Sequence, residues 1–570
     1  MKNMFAVLFV LTMAACTFTG NDATPPVSTA TLPVPATVTA SATPIPPTAT
    51  AVPSPTPTLA AASHPWWNDA VFYEIDLRSF YDSNGDGIGD FNGLIEKLDY
   101  LNDGDPNTNT DLGVTGIWLK PIHPSPSTHG YDVTDYYAVN PQYGSMDDFR
   151  RLVQEAHRRG IRVIIDLVIN HTSNQHPWFI QSQDAQSPYR DWYLWADVDP
   201  GWKGPWNNQV WYPLNGGYYY AFFWEGMPDL NYTNPAVTTE MENVTQFWLA
   251  DVGIDGFRLD AIGSLIEEGF VTIETKASHD WFASYFKFYK ENKPEAMTIG
   301  EVWREDAVVV PWVADKQVDL AFEFDLSAAM LASINEGNST RILETLQSGT
   351  SQFPEGQYGT FLTNHDMKRV MDQLGGNPEK AKAAASLYFS LPGVPFVYYG
   401  EEIGMFDEVL RRLPMQWSAG QYAGFADVTP WIMPNDNYTT FNVSTETADP
   451  GSMLSHYRRL ISLRNSHPAL RTGDLSLLYA VNQGLFACLR TTPDEAVLVL
   501  VNLTGSPIRD HQLSLASSAL PQGEYAPVSL LDDTPLAALT VLDKGRILKY
   551  VPVSEIPPYA TIMMRLEIKK

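Results

Sequence analysis

Cysteine is almost absent: the 570-residue chain has two, Cys16 and Cys488, and Cys16 lies in a leader-like segment. A disulfide within the mature chain is therefore excluded, even in an oxidising compartment. Basic side chains are also short, 37 against 66 acidic ones, for a net charge of −29. Such a balance repels phosphate backbones and anionic bilayers, which removes nucleic acid as a partner. The apolar run from Met4 to Ala15 is too short for a stable transmembrane helix but suits a signal-peptide core behind Lys2. Met13-Ala14-Ala15-Cys16 resembles a bacterial lipobox, which implies export and a lipid on Cys16 that tethers the chain to a bacterial membrane, with full secretion as the alternative. Residues 17–63 are nearly all Thr, Pro, Ala, Ser and Val, a composition that cannot bury enough apolar area to fold and reads as an extended stalk.

What is abundant is aromatic: 16 Trp and 27 Tyr supply flat apolar faces beyond an ordinary core, suited to stacking on sugar rings. From His64 onwards short β-rich runs alternate with helical patterns. Eight runs are read as strands: Val71–Phe80, Val114–Ile122, Arg162–Ile169, Gly256–Ile262, Met297–Trp303, Leu320–Phe324, Gly359–Asn364 and Val394–Tyr399. Phe149, Leu152, Val153 and Ala156 recur at helical spacing, so Met146 to Arg159 reads as an amphipathic crossover helix stopped by Gly160. Eight strands with helical crossovers predict an α/β fold, a (β/α)8 TIM barrel with its active site at the C-terminal strand ends. The long Trp-, Tyr- and Gly-rich connection after the third strand predicts an inserted excursion domain. A helix over Leu454–Asn465 and alternating runs such as Glu495–Leu503 and Thr561–Leu566 predict a C-terminal antiparallel β-sandwich. The expected organisation is leader 1–16, stalk 17–63, barrel 64–171, excursion domain 172–234, barrel 235–460 and sandwich 461–570.

Polar residues concentrate where those strands end: Asp166, Asn170 and His171 after the third, Arg258 and Asp260 on the fourth, Glu301 on the fifth, Asn364-His365-Asp366 after the seventh. Carboxylates converging on one barrel mouth are what glycoside hydrolysis requires, one to attack the anomeric carbon and one to protonate the leaving oxygen. Arg258 and Asp260, two apart on a strand, point to one face, so the guanidinium can aim the carboxylate. Each short motif alone is more often structural than catalytic; it is their succession at consecutive strand ends that points to chemistry.

The segments Asp166-Leu-Val-Ile-Asn170-His171, Gly256-Phe-Arg258-Leu-Asp260, Gly300-Glu301-Val-Trp303 and Phe361-Leu-Thr-Asn364-His365-Asp366, with Met227-Pro-Asp229-Leu-Asn231, resemble the α-amylase family of glycoside hydrolases, in particular the group between oligo-1,6-glucosidases and neopullulanases. The resemblance runs from His64 to the C-terminus. It implies Asp260 as nucleophile, Glu301 as acid/base and Asp366 as third carboxylate, with Tyr131, Asp132, His171, Arg258, His365 and Arg369 against the substrate. It further implies retaining hydrolysis of α-1,4 bonds in starch or related α-glucans. Thr128 stands where exo-acting relatives carry an acid that closes the pocket, which favours an open cleft and endo-action; against it, the text over 170–179 and 187–192 is similar to exo-glucosidases. An exo-acting α-glucosidase or oligo-1,6-glucosidase, a cyclomaltodextrinase- or neopullulanase-like enzyme, a transglycosylase, and a non-catalytic sugar-capture lipoprotein are the other readings.

Asp82-Ser-Asn84-Gly-Asp86-Gly-Ile88-Gly-Asp90 spaces oxygen donors at alternate positions around a tight turn, as calcium loops do. Gly93 at the twelfth position excludes an EF-hand. Loops of this kind in oligo-1,6-glucosidase-like relatives hold a structural Ca2+ through Asp82, Asn84, Asp86, the Ile88 carbonyl and Asp90.

Overall fold

A computed structural model describes residues 64–407 and 412–569. The Cys16 lipidation site and the stalk expected over 17–63 lie outside the described residues. Eight parallel strands close into a barrel: β1 (Phe72–Ile75), β2 (Gly116–Leu119), β3 (Arg162–Leu167), β4 (Gly256–Leu259), β5 (Met297–Gly300), β6 (Leu320–Phe322), β7 (Tyr358–Thr360) and β8 (Val394–Tyr398). Closure comes from β1, which pairs with β2 on one side and β8 on the other.

Each expected strand is present and each is shorter than read, the first most of all. It ends at Ile75 and gives way to a 3-10 turn over Leu77–Ser79. The apolar run misleads there because Leu77 and Phe80 are buried without being paired; Phe80 packs edge-on against Trp417. The helix Met146–Arg158 forms as expected, capped by the reciprocal Ser145–Asp148 pair and followed by Gly160 at φ +75.

Alternation along the strands sorts the core. Val71, Tyr73, Ile75, Ile117, Leu119, Val163 and Ile165 face the helices, while Phe72, Trp118, Ile164, Met297, Ile299, Leu320, Phe322 and Phe396 fill the barrel. The filling is aromatic: Phe72 and Phe396 stack at 4.6 Å. Gly116 and Gly359 make room for it, since a Cβ would stand 2.5 Å from the Phe72 ring at Gly116 and 2.7 Å from Ile299 at Gly359. The next inward positions along the strands are polar: Glu74 after Phe72, Asp166 after Ile164, Glu301 after Ile299. A dry barrel floor thus carries a charged mouth.

Between β3 and β4 a three-stranded antiparallel sheet (Trp195–Ala196, Gly217–Tyr220, Trp211–Leu214) has a small core of its own, Val210, Trp211, Tyr220 and Phe222. Isolated bridges from His171 to Asp229 and Tyr193 to Leu230 tie its stem to the barrel mouth. After the helix Met453–Ser466, a six-stranded and a three-stranded antiparallel sheet form the C-terminal sandwich. Its central strands Leu485–Thr491 and Ala496–Asn502 are buried on both faces. Phe486, Cys488, Val497 and Val499 join the main core, and Leu485, Leu489, Leu498 and Leu500 join the sandwich's own. Burial pushes the Cys488 thiol up to about 12, so it is unreactive.

Candidate active site

The mouth is organised around Arg258. Its Nη1 donates to Asp166 Oδ1 and to Asp260 Oδ1, both at 2.7 Å, and its Nη2 donates to Glu301 Oε2 at 2.6 Å. The guanidinium is buried and also lies 5.4 Å from the Trp118 ring. Arg258 on β4 lies opposite Asp166 on β3, and Asp260 and Glu301 stand one residue past the ends of β4 and β5, so register alone brings the four groups together. Three carboxylates on one cation leave excess negative charge in a buried place. Burial, with Glu301, Asp166 and Asp366 adding to it, pushes Asp260 up to about 8 against the pull of Arg258. The cluster therefore keeps a proton above the ordinary carboxylate range.

Asp260 is followed by Ala261 in the left-handed region, φ +48. That turn directs the Ala261 amide to Glu301 Oε2 at 3.3 Å, so one guanidinium and one backbone N–H fix a single oxygen.

Asp366 sits in a second group. His365 Nε2 contacts its Oδ2 at 3.1 Å, Arg412 Nη2 donates to its Oδ1 at 3.3 Å, and His365 Nδ1 meets Glu74 Oε1 at 2.5 Å. Burial alone would hold His365 neutral, but Asp366 and Glu74, one on each nitrogen, outweigh it and push its pKa up. The same cations act in reverse on Asp366: burial raises it, while His365, Arg412 and Lys120 pull it well below the usual carboxylate range. The site thus holds one carboxylate group that retains a proton and another that stays ionised. Tyr131 joins the two, its hydroxyl donating to Asp166 Oδ2 at 3.1 Å and meeting His365 Nε2 at 2.7 Å, with its ring stacked 5.8 Å from that imidazole.

Of the other residues expected at the substrate, His171 lies alongside, its Nε2 on the Tyr131 carbonyl at 3.2 Å. Asp132 turns away and accepts from Ser125 and Ser127. Arg369 stands in the layer beneath, donating to the Tyr399 carbonyl at 2.6 Å and lying over the Tyr398 and Tyr399 rings, so it touches none of the carboxylates around Arg258. Sequence reasoning missed Glu74, Lys120 and Arg412. A charged residue in the apolar run Phe72-Tyr-Glu74-Ile was a usable signal for the first; Arg412, far from any strand, had none.

In the Asp82–Asp90 loop, Asp82 accepts from the amides of Asn84, Gly85 and Gly87, Asn84 from Asp86, Asp86 from Ile88, and Asp90 from Ser83 and Gly93. Asp82 and Asp90 are buried, and no cationic side chain pairs with either among the described residues. The donors are all oxygen, the set that hard cations take. Among the described residues, no three His, Cys, Asp or Glu side chains are gathered closely enough to hold a metal by themselves, which leaves Asn84 and the Ile88 carbonyl essential to any such site.

Residues 75–473 match the family described as Alpha-amylase: Alpha amylase, catalytic domain. Over 452 residues the chain is 39% identical to "Alpha-amylase 3" of Dictyoglomus thermophilum, covering 77% of this chain and 86% of the relative. It is 31% identical over 517 residues to an oligo-1,6-glucosidase of Parageobacillus thermoglucosidasius, covering 77% and 90%. The crystal structure of an alpha-amylase from H.orenii superposes with a TM-score of 0.76 at 40% identity, over 87% of this chain and 99% of that one.

Proposed function

The chain belongs to the α-amylase family, and from that premise we propose that it hydrolyses internal α-1,4-glucosidic bonds of starch-type glucans with retention of configuration. The observation that carries this is the convergence of Asp260 and Glu301 on Arg258 at the barrel mouth. Asp260 attacks the anomeric carbon as the bond to the leaving oxygen breaks, and Glu301 gives that oxygen its proton. Glu301 then takes a proton from water, which attacks the same carbon and frees Asp260, so two inversions restore the α-configuration. Tyr131 offers its ring face to the sugar at the reacting centre, and ionised Asp366 accepts from its hydroxyls.

Thr128 supports endo-action: it is exposed, and it stands where exo-acting relatives carry an acid that closes the pocket. Trp303, two residues beyond Glu301 and 54% exposed, stacks on buried Phe324 at 4.6 Å, so indole surface close in sequence to the acid/base is available to a sugar ring. The Asp82–Asp90 loop is the proposed calcium site, which Asp82, Asn84, Asp86, Asp90 and the Ile88 carbonyl would hold together; there the ion would offset the charge of two buried carboxylates and brace the segment after β1. The leader-like segment supports export from the cytoplasm, with Cys16 as the residue that would carry the lipid anchor.

The test is a product time course on soluble starch, maltotriose and isomaltose with the released anomer resolved. Mixed α-oligosaccharides appearing early from starch, with isomaltose intact, is the expected result. Glucose alone from the short substrates overturns endo-action, and β-products overturn retention.

A further inference from the structure

A line of aromatic rings leaves the catalytic centre through the inserted domain. His171, beside Tyr131, meets Phe223 edge to face at 5.3 Å, and Phe223 in turn lies 6.4 Å from Trp206 at an angle of 35°. Trp206 rests on buried Phe222 at 5.5 Å yet remains 67% exposed. A Trp in that state serves no core, and an exposed turn would be better made by a polar residue.

The turn that carries it is held firmly. Gly204 N donates to the Asn208 carbonyl and Asn207 N to the Gly204 carbonyl, at 3.0 and 2.9 Å, and Asn207 adopts φ +60. The Asn208 side-chain Nδ2 donates to the Phe222 carbonyl at 3.1 Å, and Phe222 N donates to buried Asp229 Oδ1 at 2.8 Å. The indole is thereby presented at a fixed position relative to His171 without help from any ligand.

We propose that Trp206, with Phe223 leading to it, is a stacking platform for distal glucose units of a longer α-glucan chain, a subsite that selects chain length without taking part in bond cleavage. A glucose ring presents an apolar face that suits an indole, and successive units of one chain can follow the rings outward. The inference rests on the α-glucan substrate proposed above.

It is tested by calorimetric binding of maltotriose and maltoheptaose to the full-length Glu301→Gln enzyme and to the same protein with Trp206→Ala or Trp206→Phe. Stacking of this kind predicts roughly a three- to tenfold loss of maltoheptaose affinity in Trp206→Ala, little change for maltotriose, and recovery in Trp206→Phe. Equal losses on both sugars, or none on either, overturn the platform. Hydrolysis of starch by the unaltered enzyme, measured separately, tests the functional reading on its own.

Discussion

Arg258 and Glu301 are joined by a 2.6 Å bond from Nη2 to Oε2, while the other terminal nitrogen of the same guanidinium holds Asp260 at 2.7 Å. Nucleophile and acid/base are thus spaced by one planar cation and not by contact with each other. A fork with donors at fixed separation can do this; a single ammonium cannot.

Arg258→Lys should accordingly keep the fold better than it keeps activity. We expect kcat to fall by roughly a hundredfold or more, on the scale of a misplaced catalytic group. Arg258→Ala should add a stability loss of about 3–5 kcal/mol, because it strands buried carboxylates. Steady-state kinetics and denaturant melts on both variants separate the two effects; equal stability losses in both would show Arg258 to be merely structural.

Asp260→Asn and Glu301→Gln should each lower turnover by about a thousandfold or more. Neither should lower Tm appreciably. Asp260 is already pushed towards its neutral form by burial, so an amide replaces a state the fold tolerates. Near-normal kcat in either variant removes the assignment.

Much of this was legible in the sequence, for a physical reason. Parallel barrel strands bury both faces, so each appears as a short apolar run, and a polar residue at its end marks the mouth; Asp166, Arg258, Asp260, Glu301 and His365 announce themselves that way. What was not legible depends on long-range assembly. Glu74 reaches His365 across 291 positions and Arg412 reaches Asp366 across 46, with no spacing rule to suggest either. The turn at Leu77–Ser79 was hidden because burial without pairing leaves the same apolar pattern as a strand.

The calcium assignment predicts that exhaustive chelation lowers Tm and that added Ca2+ restores it, by mass action on a native-state ligand. The discriminating variant is Asp86→Ala. Asp86 is exposed and accepts only from the Ile88 amide in the folded loop, so its loss should cost little without metal but should abolish the Ca2+ response. Asp82 is unsuitable because it also accepts three amide hydrogen bonds. A metal-free protein with unchanged Tm would sink the site.

Stability should be greatest in mildly acidic solution and fall above neutrality. Burial pushes Asp229 up to about 8, Glu401 up to about 8 with Glu402 adding to it, and Glu446 up to about 7. A carboxyl raised in the folded state contributes stability that is full below its unfolded pKa and is lost as pH climbs through the folded one, here from about 4.5 to 8. Buried histidines act at the other end: burial lowers His171 and His176 to about 3 and His123 and His456 to about 4. The unfolded chain then binds protons that the folded one refuses, so stability is lost as pH falls from about 6.5 towards 4. Between about 4.5 and 6.5 the two sets oppose each other; above 6.5 the carboxyls still titrate, and His365, whose pKa is raised, loses its contribution in the same direction. Tm should therefore drop by roughly 5 °C or more between pH 6.5 and 9. Glu401→Gln should flatten that slope, since the amide still accepts from Tyr457, as Glu401 Oε1 does at 2.7 Å, but has no proton to lose. A Tm that rises from pH 6.5 to 9, or an unaltered slope in Glu401→Gln, would show that these carboxyls ionise without strain in the folded protein.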